Sequence, residues 1–219
     1  YAMMAGLVGS EMCIRDRIPE AAQVDLPGRE ITIETPDKAN AVYLAGLNLA
    51  IKDGDADFAP LVMANFILGG GSLASRLGDR VRQQEGLSYG IRSGFSAHPI
   101  DDRGRLTISA ITNPNNQTKL EKAISEELNR WIEEGITEEE LKRAQQGYLQ
   151  GQQLQRSNDR ELTGLIGSTL FAGRTLDYYA DLEKAIGRLY PEAVNETVRK
   201  RISSNKLIQI FAGDVGAKE

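Results

Sequence analysis

The sequence predicts an α+β fold: helices packed on one antiparallel or mixed β-sheet within a single domain. Three observations lead there. Short strand-like runs are interleaved with longer runs of helical period, the later part of the chain is mostly helical before one last strand, and no low-complexity linker or short repeat divides it. The 219 residues, 41% hydrophobic and 26% charged, have an ordinary globular composition, long enough for one large domain or two small ones.

After Pro27-Gly28, Arg29 to Thr35 alternates apolar and polar as a strand does, and Pro36-Asp37 marks a turn. Ala41 to Ala50 reads as a second strand, its alternation interrupted around Gly46. Asp53-Gly54-Asp55 signals a turn and helix start. Phe58 to Leu68 is apolar enough for a buried helix, with Pro60 tolerated in the first turn. Gly69-Gly70-Gly71 breaks that helix, Ser72 can cap the next, Leu73 to Glu85, and Gly86 ends it. Tyr89 to Ala97 and Arg105 to Thr112 read as strands joined around Asp101 to Gly104. Asn113-Pro114-Asn115-Asn116 leads into a helix with Leu120, Ile124, Leu128 and Ile132 on one face. Thr137-x-x-Glu140 is a capping box opening a helix that carries Leu141, Tyr148 and Leu149. Helices are expected over Arg160 to Phe171, Asp177 to Arg188 and Pro191 to Ile202. Leu207 to Ala212 is the last strand, ended by Gly213-Asp214.

The formal charge of −5 argues against broad binding of nucleic acid or anionic membranes. No apolar run approaches the roughly 20 residues of a membrane span. Val8 to Arg17 reads as translated sequencing-adapter DNA, so residues 1–17 are set aside as a non-native scar and the domain is taken as 18–219. The one cysteine, Cys13, lies in that scar. The remainder therefore has no disulfide, thiolate nucleophile or cysteine–zinc site, and its compartment is unreadable. The natural protein is expected to continue upstream.

The run Val81 to Gly90 holds the most chemistry. It places Arg82 in the last turn of a helix and Tyr89 at the start of a strand, so a planar cation and a phenol converge from two rigid elements. Such a pair can grip a peptide backbone and donate a hydrogen bond to a polarised carbonyl. From spacing alone the plainer reading is an arginine satisfying helix-end carbonyls and a half-buried strand tyrosine.

Ile67 to Ser72, Ser75-Arg76-Leu77, Arg82-x-x-x-Gly86-Leu87-Ser88-Tyr89-Gly90, Gly135-Ile136-Thr137-x-x-Glu140-Leu141 and Ala212-Gly213-Asp214 together resemble the insulinase/pitrilysin family of zinc metallopeptidases. The resemblance covers roughly residues 20 to 216 and is to the non-catalytic, C-terminal type of domain, as in mitochondrial processing peptidase-like proteins. It implies a half-clamshell domain whose partner half carries an inverted zinc motif, His-x-x-Glu-His. Here that motif is excluded, because His98 is the only histidine. It also implies that Arg82 holds a substrate carbonyl and Tyr89 donates to the developing oxyanion. By the same resemblance no metal is expected in this chain. Zinc is expected in a partner domain, upstream in the same polypeptide or in a separate subunit, and the substrate is a peptide enclosed in a chamber. A non-proteolytic structural or binding subunit of the same fold is the alternative.

Other features have plain readings beside functional ones. Gly69, Gly70 and Gly71 could cradle a phosphate, but no Gly-Lys-Ser/Thr follows, so a tight helix connection is preferred; the resemblance adds a role in handling substrate. His98, before Pro99, reads as a surface residue. Glu138-Glu139-Glu140 and Glu126-Glu127 read as helix-dipole partners and solvated faces rather than metal ligands. Asn113 to Asn116 is a helix entry, and Trp131 a packing residue.

Overall fold

Five strands form one mixed sheet in the order β1-β5-β2-β4-β3. The computed structural model describes residues 26–71 and 75–214, so the set-aside segment 1–17 and the proposed Ser72 cap lie outside the described residues. The strands are β1 (Arg29–Glu34), β2 (Ala41–Leu49), β3 (Ser88–Ala97), β4 (Gly104–Thr112) and β5 (Ile208–Gly213). β1 and β5 run parallel, and the other neighbours run antiparallel. The last strand thus inserts between the first two, which brings both ends of the domain into one sheet.

Strand alternation decides which face is covered. In β2, Ala41, Tyr43, Ala45, Leu47 and Leu49 are buried while Val42, Leu44 and Asn48 are exposed. In β4, Leu106, Ile108 and Ala110 are buried. The helices cover that buried face: α1 (Phe58–Asn65), α2 (Gly78–Gln84), α3 (Gln117–Glu134), α4 (Glu138–Arg156), α5 (Asp159–Phe171), α6 (Asp177–Gly187) and α7 (Pro191–Arg201). α3 brings Leu120, Ile124, Leu128 and Trp131 to the core at its helical spacing. Trp131 is 1% exposed, as the packing reading expects. Tyr43, in the same core, directs its hydroxyl to Gln209 Oε1 at 2.8 Å, which satisfies a phenol that burial would otherwise leave unpaired.

Caps and turn residues act as their chemistry predicts. Thr137 Oγ1 accepts from Glu140 N–H at 3.2 Å and Glu140 Oε2 accepts from Thr137 N–H at 2.8 Å, completing the capping box. Asn158 caps α5, and Pro191 occupies the first turn of α7. Two helical segments differ from expectation. The Phe58 to Leu68 helix is α-helical only to Asn65, and Phe66–Gly70 winds as a π-helix. The expected helix ending at Glu85 is π-helical over Gly78–Gln84. Gly71 N–H reaches Phe66 O at 2.8 Å and Glu85 N–H reaches Arg80 O at 3.2 Å, each one residue further back than an α-helix allows.

Among the described residues, no helix lies over the opposite sheet face. Val42, Leu44 and Ile111 are large apolar residues exposed there. A hollow of about 680 Å³ opens on this face, bordered by residues that include Leu44, Asn48, Arg92, Arg105 and Ile210.

Candidate functional site

The junction between α2 and β3 is the most distinctive piece of backbone. Gly86 takes φ +62°, a left-handed conformation that glycine adopts without strain, and Leu87 N–H turns back to Val81 O at 2.9 Å. The chain then enters β3 with an irregular register. Ser88 pairs with Thr112 and Gly90 with Ile111, so Tyr89 is the additional residue of a β-bulge. In an unbroken ladder the residue before Gly90 would face Thr112 and point toward the helices. The bulge gives that place to Ser88, which is buried, and turns Tyr89 outward.

Local hydrogen bonds hold this arrangement. Ser88 Oγ donates to Ile111 O at 2.7 Å and Thr112 Oγ1 donates to Leu87 O at 2.5 Å. Asn116 Nδ2 also donates to Leu87 O, at 3.5 Å. Ser88, Thr112 and Asn116 are thus positioning residues that sequence reasoning missed. A serine, a threonine and an asparagine carry no signal until pairing shows what they face.

The structure brings Arg82 and Tyr89 together. The Arg82 guanidinium carbon lies 5.4 Å from the centre of the Tyr89 ring, within cation–π range. Tyr89 is 87% exposed, and Arg82 is exposed as well. Among the described residues neither polar group has a hydrogen-bond partner, and the tyrosine is exposed rather than half-buried. Stacking on the ring orients the guanidinium and leaves its N–H fork and the phenol hydroxyl available to a ligand. Both border a hollow of about 440 Å³ that Gly69, Gly70, Gly78 and Arg92 also line.

The glycine run sits beside the pair because of packing. A Cβ at Gly69 would lie 2.7 Å from Ser93 N, and one at Gly71 would lie 2.6 Å from the Phe66 ring. Ser93 Oγ reaches Asn65 Oδ1 at 2.8 Å, tying β3 to the end of α1. Gly69 and Gly70 line the hollow bordered by Arg82 and Tyr89, whereas Gly71 closes on its own turn.

The remaining motifs are structural. Arg76 Nε donates to Glu140 Oε1 at 2.7 Å, and its Nη2 donates to Glu140 Oε2 at 2.9 Å and Gly135 O at 2.7 Å. Burial alone would raise the Glu140 carboxyl, but hydrogen bonds from Arg76 and Thr137 outweigh it and hold the carboxyl below the usual range. Burial raises the Glu127 carboxyl against the opposing charges of Arg130, Arg76 and Arg80. Glu126 pairs with Arg80, and Glu139 with Arg143. His98 Nδ1 accepts from the Ile100 and Asp101 N–H groups at 3.2 and 3.0 Å and organises the β3–β4 turn. Asn113 caps the short helical turn before α3. Among the described residues, no three of His, Cys, Asp and Glu gather where they could hold a metal ion.

Comparison with known proteins identifies the family and the fold. The family described as the peptidase M16 inactive domain matches residues 14–148. A Helicobacter pylori protein, "Non-peptidase homolog YmxG", is 28% identical over 173 residues, which are 78% of this chain and 39% of that protein. A Bacillus subtilis protein, "Uncharacterized zinc protease YmxG", is 37% identical over 86 residues, 39% of this chain and 20% of its own length. The crystal structure of a peptidase M16 inactive domain from Pseudomonas fluorescens superposes with a TM-score of 0.79 at 27% identity, covering 92% of this chain and 48% of that one. A putative zinc protease from Bordetella pertussis shares the fold at a TM-score of 0.64 and 18% identity, covering 79% of this chain and 93% of that one. The chain thus spans well under half of its H. pylori relative and about half of the P. fluorescens structure.

Proposed function

The chain belongs to the peptidase M16 inactive-domain family, and from that premise we propose that it is the substrate-binding half of a zinc endopeptidase chamber. The zinc half is a separate domain, in the same natural polypeptide or in another subunit. The observation that carries this reading is the bulged Tyr89, 87% exposed and stacked with Arg82 beside the sheet face that none of the described helices covers. A phenol with its hydroxyl unengaged can donate to an oxygen that gains charge as a carbonyl is attacked. A guanidinium can hold a second carbonyl of the same peptide and fix its orientation. Both groups stand on regular elements, Arg82 on α2 and Tyr89 on β3, so less reorganisation is needed when substrate arrives than on a long loop.

A second reading has one observation in its favour: the H. pylori relative is described as a non-peptidase homolog. In that reading the same surface binds peptide without cleaving it. Co-production with a zinc-bearing domain of the family separates the two. The proposal expects a stable complex that hydrolyses a fluorogenic peptide, and an Arg82→Lys variant with raised KM or lowered kcat, because lysine keeps the charge and loses the planar fork. A stable, zinc-loaded complex without hydrolysis supports the second reading.

A further inference from the structure

The sheet face that none of the described helices covers has an unusual charge pattern. Following the pairing register across the sheet, its side chains are Arg29, Ile31 and Ile33 from β1, Ile208, Ile210 and Ala212 from β5, and Val42, Leu44 and Asn48 from β2. β4 adds Arg105, Thr107, Ser109 and Ile111, and β3 adds Arg92 and Ser96. Every charged residue in that set is an arginine, in a chain whose formal charge is −5. The strand acids Glu30 and Glu34 fall on the other face by alternation. Glu30 there accepts from Gln209 Nε2 at 3.4 Å, beside the buried Tyr43. Asp101 and Asp102, in the turn before Arg105, pair with His98, Arg103 and Lys52, and at the end of the sheet Asp214 Oδ2 accepts from Asp37 N–H at 3.0 Å.

Among the described residues none of Arg29, Arg92 and Arg105 has a carboxylate partner, and Arg92 makes one long hydrogen bond, Nε to Ser109 Oγ at 3.3 Å. Arg92 borders both the large hollow and the smaller one at Arg82 and Tyr89, so it joins the two. Arg105 stands opposite Ser96, four residues further along β3 than Arg92. At about 3.4 Å per residue the two guanidinium-bearing positions lie roughly 13–14 Å apart along the strands. An extended peptide places residues i and i+4 at the same spacing. Between the arginines the two strands present Gly94, Thr107 and Ser109, and the apolar Leu44, Ile208 and Ile210 continue the floor of the hollow across β2 and β5.

We propose that this face selects extended peptides that carry acidic side chains among apolar ones, with Arg92 and Arg105 as the residues that set the preference. The proposal rests on the chamber reading for its location and adds the substrate class to it. Apolar side chains settle on the isoleucine and leucine floor, and carboxylates meet the arginine forks.

The test needs no catalysis, so its failure is distinct from failure of the chamber reading. Fluorescently labelled ten-residue peptides of one apolar pattern, carrying Glu, Gln or Lys at i and i+4, are titrated against the 219-residue chain at low and high salt. The Glu peptide should bind roughly ten- to thirtyfold tighter than the Lys peptide at low salt, the sum of a few exposed charge pairs, and the gap should narrow as salt rises. Arg92→Gln with Arg105→Gln should erase the preference, and Arg92→Glu with Arg105→Glu should invert it, while the Gln peptide binds all forms alike. Equal or tighter binding of the Lys peptide, or a preference that survives both double variants, would overturn the proposal. So would an oligodeoxythymidylate of matched charge that binds tighter than the Glu peptide, since the face would then select phosphate.

Discussion

Replacing Arg76 with methionine tests how the frame behind the site is held. Arg76 stands just before α2, the helix that delivers Arg82, and grips Glu140 and the Gly135 carbonyl through three hydrogen bonds of 2.7–2.9 Å. The arginine side chain is 11% exposed and that of Glu140 30%. Removing one member of a buried ion pair costs about 3–5 kcal/mol, because the other charge is left without its partner. Water reaches Glu140 in part, so about 2–3 kcal/mol is expected here, a large share of the ~5–15 kcal/mol that holds a domain folded. With a urea slope of about 2 kcal/mol/M, the unfolding midpoint followed by circular dichroism should drop by roughly 1 M at neutral pH with the slope unchanged. The acid side gives an independent check. The Glu140 carboxyl is held below its ordinary value of 4.5 in the folded state, so its stabilisation is present above that value and is lost as pH falls through the folded value. The penalty of Arg76→Met should therefore shrink below about pH 4.5. Glu127 works in the same direction: Arg76 opposes the rise that burial imposes on its carboxyl, so losing the arginine adds a penalty where that carboxyl ionises and none where it is protonated. A loss under about 1 kcal/mol at pH 7, or one that does not change on acidification, would refute the reasoning.

Three further outcomes follow from packing. Gly69→Ala puts a methyl 2.7 Å from Ser93 N, and the overpacking should cost about 1–3 kcal/mol in the same urea assay. Thr112→Val removes the hydroxyl that donates to Leu87 O at 2.5 Å, and about 1–2 kcal/mol of stability should go with it, with broadened amide signals at Leu87 to Gly90 in nuclear magnetic resonance spectra. Deleting residues 1–17 should leave the thermal midpoint nearly unchanged; a loss above about 2 kcal/mol, the size of a core truncation, would show that the segment belongs to the fold.

Most elements were legible in the sequence because their signals are local. The capping box at Thr137 and Glu140, the proline at the start of α7 and the glycine after α2 each act within one turn of chain. The alternation in β2 and β4 likewise marked a buried face. The π winding of Phe66–Gly70 and Gly78–Gln84 was not legible, because moving a hydrogen bond by one residue barely changes the apolar period. The bulge was hidden for a related reason. Ser88-Tyr89-Gly90 reads as ordinary strand until β4 pairs with it and leaves Tyr89 without an opposite number. Arg82 and Tyr89 could be singled out from the helix-to-strand spacing and the family resemblance. That the tyrosine stands clear of the core depends on a register set 23 residues away, by Ser88 meeting Ile111. The basic character of the open face is equally non-local, since Arg29, Arg92 and Arg105 share a surface only after the last strand inserts between the first two.

The most direct test of the account is Tyr89→Phe in a complex with the zinc-bearing domain. The substitution removes one hydroxyl and keeps the ring that stacks with Arg82. With zinc content matched between variants, kcat for a fluorogenic peptide should fall by roughly 10²–10³ while the unfolding midpoint stays put, as expected for loss of an oxyanion donor. Turnover within a fewfold of the unmodified complex would contradict the claim that this chain supplies that donor.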